Sequence, residues 1–165
     1  MKKLFFITLI SLMSSTWVAA QSTYIFVRHA EKESDGTPNP NLTVDGHKRA
    51  VALANFLKNQ PVDAIYSTDY LRTMQTAGPL AKMKDIKIDT YNPADQANFA
   101  QMLKEKQDQV ITVVGHSNTI HHLVNFMMGE KVLDELDESD YENIFMVYLD
   151  VEAGKKSLLR LQYPF

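Results

Sequence analysis

The chain has 165 residues, 45% hydrophobic and 22% charged, with a formal charge of −3 and no cysteine. That is globular composition, enough for one domain with its own core, and the acidic balance argues against nucleic acid as a partner. Without cysteine there is neither a disulfide framework nor a lipid attached through a thiol, so stability must come from the core or from a ligand.

Lys2 and Lys3 form a basic start, Leu4 to Met13 an apolar stretch, and Val18-Ala19-Ala20 a small-residue end, which is the order of a cleavable signal peptide over residues 1–20. The apolar stretch is shorter than the roughly 20 residues that cross a bilayer, so a permanent anchor is the weaker reading. A mature chain beginning at Gln21 is expected to be periplasmic or secreted, without stable membrane insertion. Loss of two lysines takes its formal charge to about −5. Residues 21–165 are expected to form a single domain.

From Tyr24 to Val27 four apolar residues run without alternation, as in a strand covered on both faces; Ile65 with Tyr66, and Val110 to Val114, repeat the pattern. Helical stretches fall between them and after them, over 42–57, 70–83, about 94–104 and 119–128. The first has an apolar stripe of Val44, Ala50, Val51, Ala54, Phe56 and Leu57. Thr43 suits its N-cap, with Asp45 in the first turn, and Asp69 or Thr68 suits the cap of the second. Strand and helix alternate, which predicts a three-layer α/β/α sandwich with a mostly parallel central sheet. The final "NIFMVYLDVEAGKKSLLRLQYPF" reads as an antiparallel hairpin at the sheet edge with Gly154 in its turn. "ESDGTPNPN", residues 33–41, is a polar loop, and "EKVLDELDESDYEN" reads as a solvated acidic connector.

Three strand-to-helix junctions carry polar clusters: "VRHAEK", "YSTDYLRTMQT" and "VVGHSNT". In open α/β sheets ligands bind outside the carboxyl ends of the strands, where helix N-termini direct N–H groups at them. Two histidines and two arginines there would make an anion site. Arg72 lies in the first turn of a helix, the wrong end for a cation unless an anion is bound nearby. Gly115 before His116 suits either a close backbone approach or a turn. His121 and His122 invite a metal site with His116, but no nearby carboxylate or cysteine completes a ligand set, so they read as structural. Ser117 lacks the G-x-S-x-G context of a hydrolase nucleophile.

Together these segments resemble the histidine phosphatase superfamily, with its phosphoglycerate mutase-like fold. "RHAEK" matches the Arg-His signature, "NLTVDGHKRA" the Leu-Thr-x-x-Gly helix start, "IYSTDYLRTMQTA" the second-arginine motif and "VVGHSNTI" the second-histidine motif, in the family's order. The resemblance implies a phosphatase that phosphorylates His29, with Arg28, Arg72 and His116 around the phosphoryl group and Ser117 and Asn118 beside it. The alternatives are a mutase or other phosphotransferase of the same superfamily, or a phosphate-binding module without activity.

The chemistry is consistent with those roles. A neutral imidazole can attack phosphorus and carry the group covalently, and its other ring nitrogen should donate to a carbonyl to fix the tautomer. Arginine forks match pairs of phosphoryl oxygens, and His116, cationic once phosphate is bound, adds charge, so no metal or other cofactor is expected. The proton for the leaving group has two candidate sources, Glu31 near the nucleophile and Asp95 in "YNPADQ". The His-Asp pair of the acid phosphatase branch is absent, since Ser117 follows His116. Short connections without an inserted cap imply an open pocket for a phosphorylated small molecule or a phosphohistidine protein.

Overall fold

The computed structural model describes residues 21–150 and 153–165; the expected leader over 1–20 lies outside them. The elements in chain order are β1 (Gln21–Arg28), α1 (Val44–Phe56), β2 (Ala64–Thr68), α2 (Leu71–Lys84), β3 (Ile88–Tyr91), α3 (Gln96–Glu105), β4 (Val110–Gly115), α4 (Ser117–Met128), β5 (Asn143–Asp150) and β6 (Lys155–Gln162). They form one mixed sheet in the order β3-β2-β4-β1-β5-β6. β1, β2, β3 and β4 pair in parallel, and β5 and β6 add the antiparallel edge.

The uninterrupted apolar run in β1 follows from having a helical layer on each face. Tyr24 and Phe26 point into one core with Phe99 and Leu103 of α3 and Ile120, Leu123 and Val124 of α4. Ile25 and Val27 point into the other with Leu53 and Ala54 of α1 and Ala77 and Leu80 of α2. Successive residues of a strand face opposite ways, so a strand between two cores favours apolar side chains at every position. The hairpin turn carries Gly154 at φ +63, as its sequence predicts. No helix among the described residues is long and apolar enough to cross a membrane.

Three expectations are corrected. The buried face of α1 is Gly46, Arg49, Ala50, Leu53 and Ala54, whereas Val44, Val51 and Phe56 of the expected stripe are 74%, 50% and 44% exposed. Thr43 does cap α1, accepting from the Gly46 N–H at 3.0 Å, but neither Asp69 nor Thr68 caps α2. Tyr70 is the N-cap there, and the Asn39 side chain accepts from the Leu71 N–H at 2.8 Å from across the polar loop. The short edge strand β3, too brief and too exposed to show a pattern, was absent from the sequence expectation.

Candidate active site

β1 and β4 are neighbours in parallel register, with Arg28 opposite Gly115. The helix after β1 lies in one layer and the helix after β4 in the other, which makes their carboxyl ends the switch point where such sheets bind ligands. His29 and His116 are the next residues on each strand. The His29 N–H still donates to Gly115 O at 2.8 Å, so the ladder holds the two histidines side by side, with ring centroids 5.5 Å apart. Gly115 is there for a close approach: a Cβ would lie 2.7 Å from Tyr91 Oη and 2.8 Å from Ile120 Cδ1.

Both rings have an assigned tautomer. His29 Nδ1 lies 2.7 Å from Ala30 O, and a carbonyl only accepts, so Nδ1 carries the proton and Nε2 keeps a free lone pair. Burial, opposed by that carbonyl and reinforced by Arg28, His116 and Arg72, pushes the imidazole down to about 3, leaving it neutral. His116 Nδ1 lies 3.4 Å from Arg72 Nη2, which only donates, so here Nδ1 accepts and Nε2 carries the hydrogen. Nε2–H then donates to Thr68 Oγ1, Thr68 to Thr73 Oγ1, and Thr73 to the carbonyls of Thr68 and Tyr70, each step at 2.9 Å. Burial first, then Arg72 and Arg28, lowers His116 to about 4. Without an anion in the site, His116 is therefore neutral.

A cavity of about 480 Å³ opens over these groups, lined by His29, Arg72 and His116 and by Ser117 and Asn118 at the N-terminus of α4. That helix begins two residues earlier than expected, which brings its dipole and N–H groups to the site. Arg72 lies over the Tyr70 ring at 4.5 Å, and its Nε is buried without a partner. Arg28 is only 2% exposed. Its Nη1 donates to the carbonyls of Asp137 and Asp140, its Nη2 pairs with Glu138 at 2.8 Å, Tyr141 stacks on it at 4.1 Å, and its Nε is unpartnered. Arg72, with its orphan N–H, and the N-terminus of α4 beside an unprotonated imidazole form a cradle for a tetrahedral anion, with the buried Arg28 next to His29 in the chain.

Neither sequence candidate for the acid is brought to this cavity. Glu31 turns back onto Arg49, with Nε contacts of 2.8 and 3.0 Å and an Nη2 contact of 2.7 Å. Asp95 is exposed at the start of α3 and accepts from Asn98 Nδ2. The carboxylates lining the cavity are Glu135 and Glu138, both from the connector expected to be plain solvated surface. Leu136, buried in the core between them, ties that connector down, and Ser117 Oγ donates to Glu138. The available sequence signal was the pair Leu133 and Leu136 inside an acidic run, with Tyr141 beyond it. Among the described residues, no group of three or more His, Cys, Asp or Glu could hold a metal ion. His121 and His122 lie against each other with ring centroids 3.9 Å apart, tilted by 39°, and do not line the cavity.

The sequence profile of the histidine phosphatase superfamily (branch 1) matches residues 24–93, which contain Arg28, His29 and Arg72. Phosphoserine phosphatase 1 of Hydrogenobacter thermophilus is 34% identical over 91 residues, an alignment covering 50% of this chain and 43% of that protein's length. Among solved structures, a mycobacterial glucosyl-3-phosphoglycerate phosphatase superposes with a TM-score of 0.70 at 13% identity, covering 87% of this chain and 100% of that one. The protein histidine phosphatase SixA, complexed with tungstate, gives 0.65 at 17%, covering 85% and 96%. A phosphoserine phosphatase from Entamoeba histolytica gives 0.65 at 16%, covering 87% and 98%. At these identities the superpositions establish the fold, and the profile match is a similarity over less than half of the chain. Residues 24–93 are thus similar to the histidine phosphatase superfamily, branch 1, and the chain as a whole has the α/β fold of the solved structures it superposes on.

Proposed function

We propose that this chain is an exported, metal-independent phosphatase that works through a phosphohistidine on His29. The observation that carries the reading is the Nδ1 contact to Ala30 O, which leaves Nε2 unprotonated in an anion cradle. Nε2 attacks phosphorus in line with the leaving oxygen. Arg72, Arg28 and the N-terminus of α4 hold the phosphoryl oxygens, and charge building up on them is met by donors already in place. A bound phosphoryl dianion favours proton uptake by His116, which converts a neutral acceptor of Arg72 into a further cation.

The phosphoserine and phosphohistidine phosphatases among the similar proteins support a phosphomonoester or a phosphohistidine protein as substrate. An adjoining groove of about 390 Å³ between Lys32, Pro38, Pro40 and Arg72 gives the remainder of such a substrate room. Export rests on the basic, apolar and small-residue order of residues 1–20. The test is hydrolysis of an aryl phosphate by protein lacking residues 1–20, with and without EDTA, followed by a panel of phosphoserine, sugar phosphates and a phosphohistidine protein. Activity unchanged by EDTA is expected; no phosphate release from any of them would retire the enzyme reading.

A further inference from the structure

Glu138 lines the cavity together with His29, Arg72 and His116. Its carboxylate accepts from Arg28 Nη2 at 2.8 Å and from Ser117 Oγ, a buried cation and a hydroxyl of the cavity lining that would otherwise be free to meet an anion. Unlike Arg28, the Glu138 side chain is 73% exposed. It can leave without dismantling the core, while Leu136 keeps the connector in place. Glu31 and Asp95 are held elsewhere, so a carboxylate for proton transfer must come from the connector. Of its two cavity-lining acids, Glu138 alone contacts the anion cradle.

We propose that Glu138 is the general acid and base of this site, released from Arg28 when a phosphoryl group takes its place. The assignment rests on the phosphatase reading above and adds the group that moves the proton. In the free protein the bond from Ser117, then Arg28 and Lys32, hold Glu138 below the usual carboxylate range, so it waits ionised. A phosphoryl dianion on Arg28 removes that support and puts negative charge beside the freed carboxylate, which then takes a proton from solvent. As His29 Nε2 bonds to phosphorus, the bond to the leaving oxygen breaks and Glu138 delivers its proton there. Water next attacks phosphorus, the Glu138 carboxylate accepts one of its protons, and the electrons of the P–N bond return to Nε2. Inorganic phosphate departs, Glu138 gives its proton back to solvent, and the carboxylate returns to Arg28.

The test compares wild type with Glu138→Gln on two aryl phosphates of similar shape. Phenyl phosphate releases a phenol about as basic as tyrosine, near pKa 10, and needs the acid; 4-nitrophenyl phosphate releases a far better leaving group and does not. E138Q should lose about tenfold or more in kcat/KM on phenyl phosphate and less than about threefold on nitrophenyl phosphate. With the latter it should give a full burst of nitrophenolate followed by slow turnover, because the base for the water step is gone. Inorganic phosphate should inhibit E138Q with a lower Ki, since the neutral amide competes less for Arg28. An equal loss on both substrates, no loss on phenyl phosphate, or a raised Ki would overturn the assignment. A wild-type protein inactive on both would instead retire the phosphatase reading itself.

Discussion

At the scale of single residues, the site depends on which nitrogen of each imidazole holds the hydrogen. Thr68 and Thr73 set this for His116 through a one-way chain that ends on backbone carbonyls. Thr68→Val keeps the shape but leaves the buried His116 Nε2–H without an acceptor, which should cost about 1–3 kcal/mol of stability. It also frees the ring to turn an N–H toward Arg72, so kcat/KM should fall at unchanged protein concentration; chemical denaturation and aryl phosphate kinetics measure the two effects. Arg72→Lys keeps the charge but loses the fork, and removal of one such donor set is expected to lower kcat by about 10²-fold or more. A lysine variant with wild-type kcat would show that Arg72 acts as a point charge.

At the scale of elements, the "NLTVDGHKRA" segment works as a clasp between α1 and the loop that follows β1. Thr43 caps the helix, and Gly46 lets it pack against the Glu31 carbonyl, which a Cβ would overlap. Gly46→Ala should therefore destabilise by about 2 kcal/mol or more, since backbone rather than a side chain must move. At Gly78, inside α2, a methyl group would meet nothing within 4 Å apart from its chain neighbours, but Pro79 follows and disfavours helical backbone at a preceding residue with a Cβ, so Gly78→Ala should gain no stability while costing less than Gly46→Ala. Thermal melts of the two variants check the pair.

Elements also divide what was readable in the sequence from what was not. Buried strands and the junction residues Arg28, His29, Arg72 and His116 were readable, because a strand between two cores and a polar cluster at its carboxyl end both leave local patterns. The role of the connector was not, because Glu138 meets Arg28 across 110 positions of sequence and in isolation looks like any surface acid. The outward turn of Val44 and Val51 was hidden for a related reason: Arg49 takes a place on the buried face of α1 to reach Glu31.

At the scale of the whole molecule, two buried neutral histidines make the fold sensitive to acid. Their pKa values fall from 6.5 to about 3 and about 4, so between those limits the unfolded chain binds more protons than the folded one. Stability is thus lost as pH falls below about 6.5, by about 2 kcal/mol for each ring at pH 5. His121, lowered mainly by burial, adds in the same direction. Denaturation midpoints at pH 7.5 and 5 should show this fall, and a His29→Asn, His116→Gln double variant should show less of it. Topology explains why such a cost is concentrated here: the switch between β1 and β4 places both rings where the sheet opens, and the order β2-β4-β1 that creates it has no local signature in sequence. The central claim is that phosphate passes through His29. Wild-type protein mixed with labelled aryl phosphate, quenched in base and digested, should carry an acid-labile phosphate on the peptide containing His29, and His29→Ala should carry none and turn over none. Label on another residue, or turnover by His29→Ala, would contradict the account.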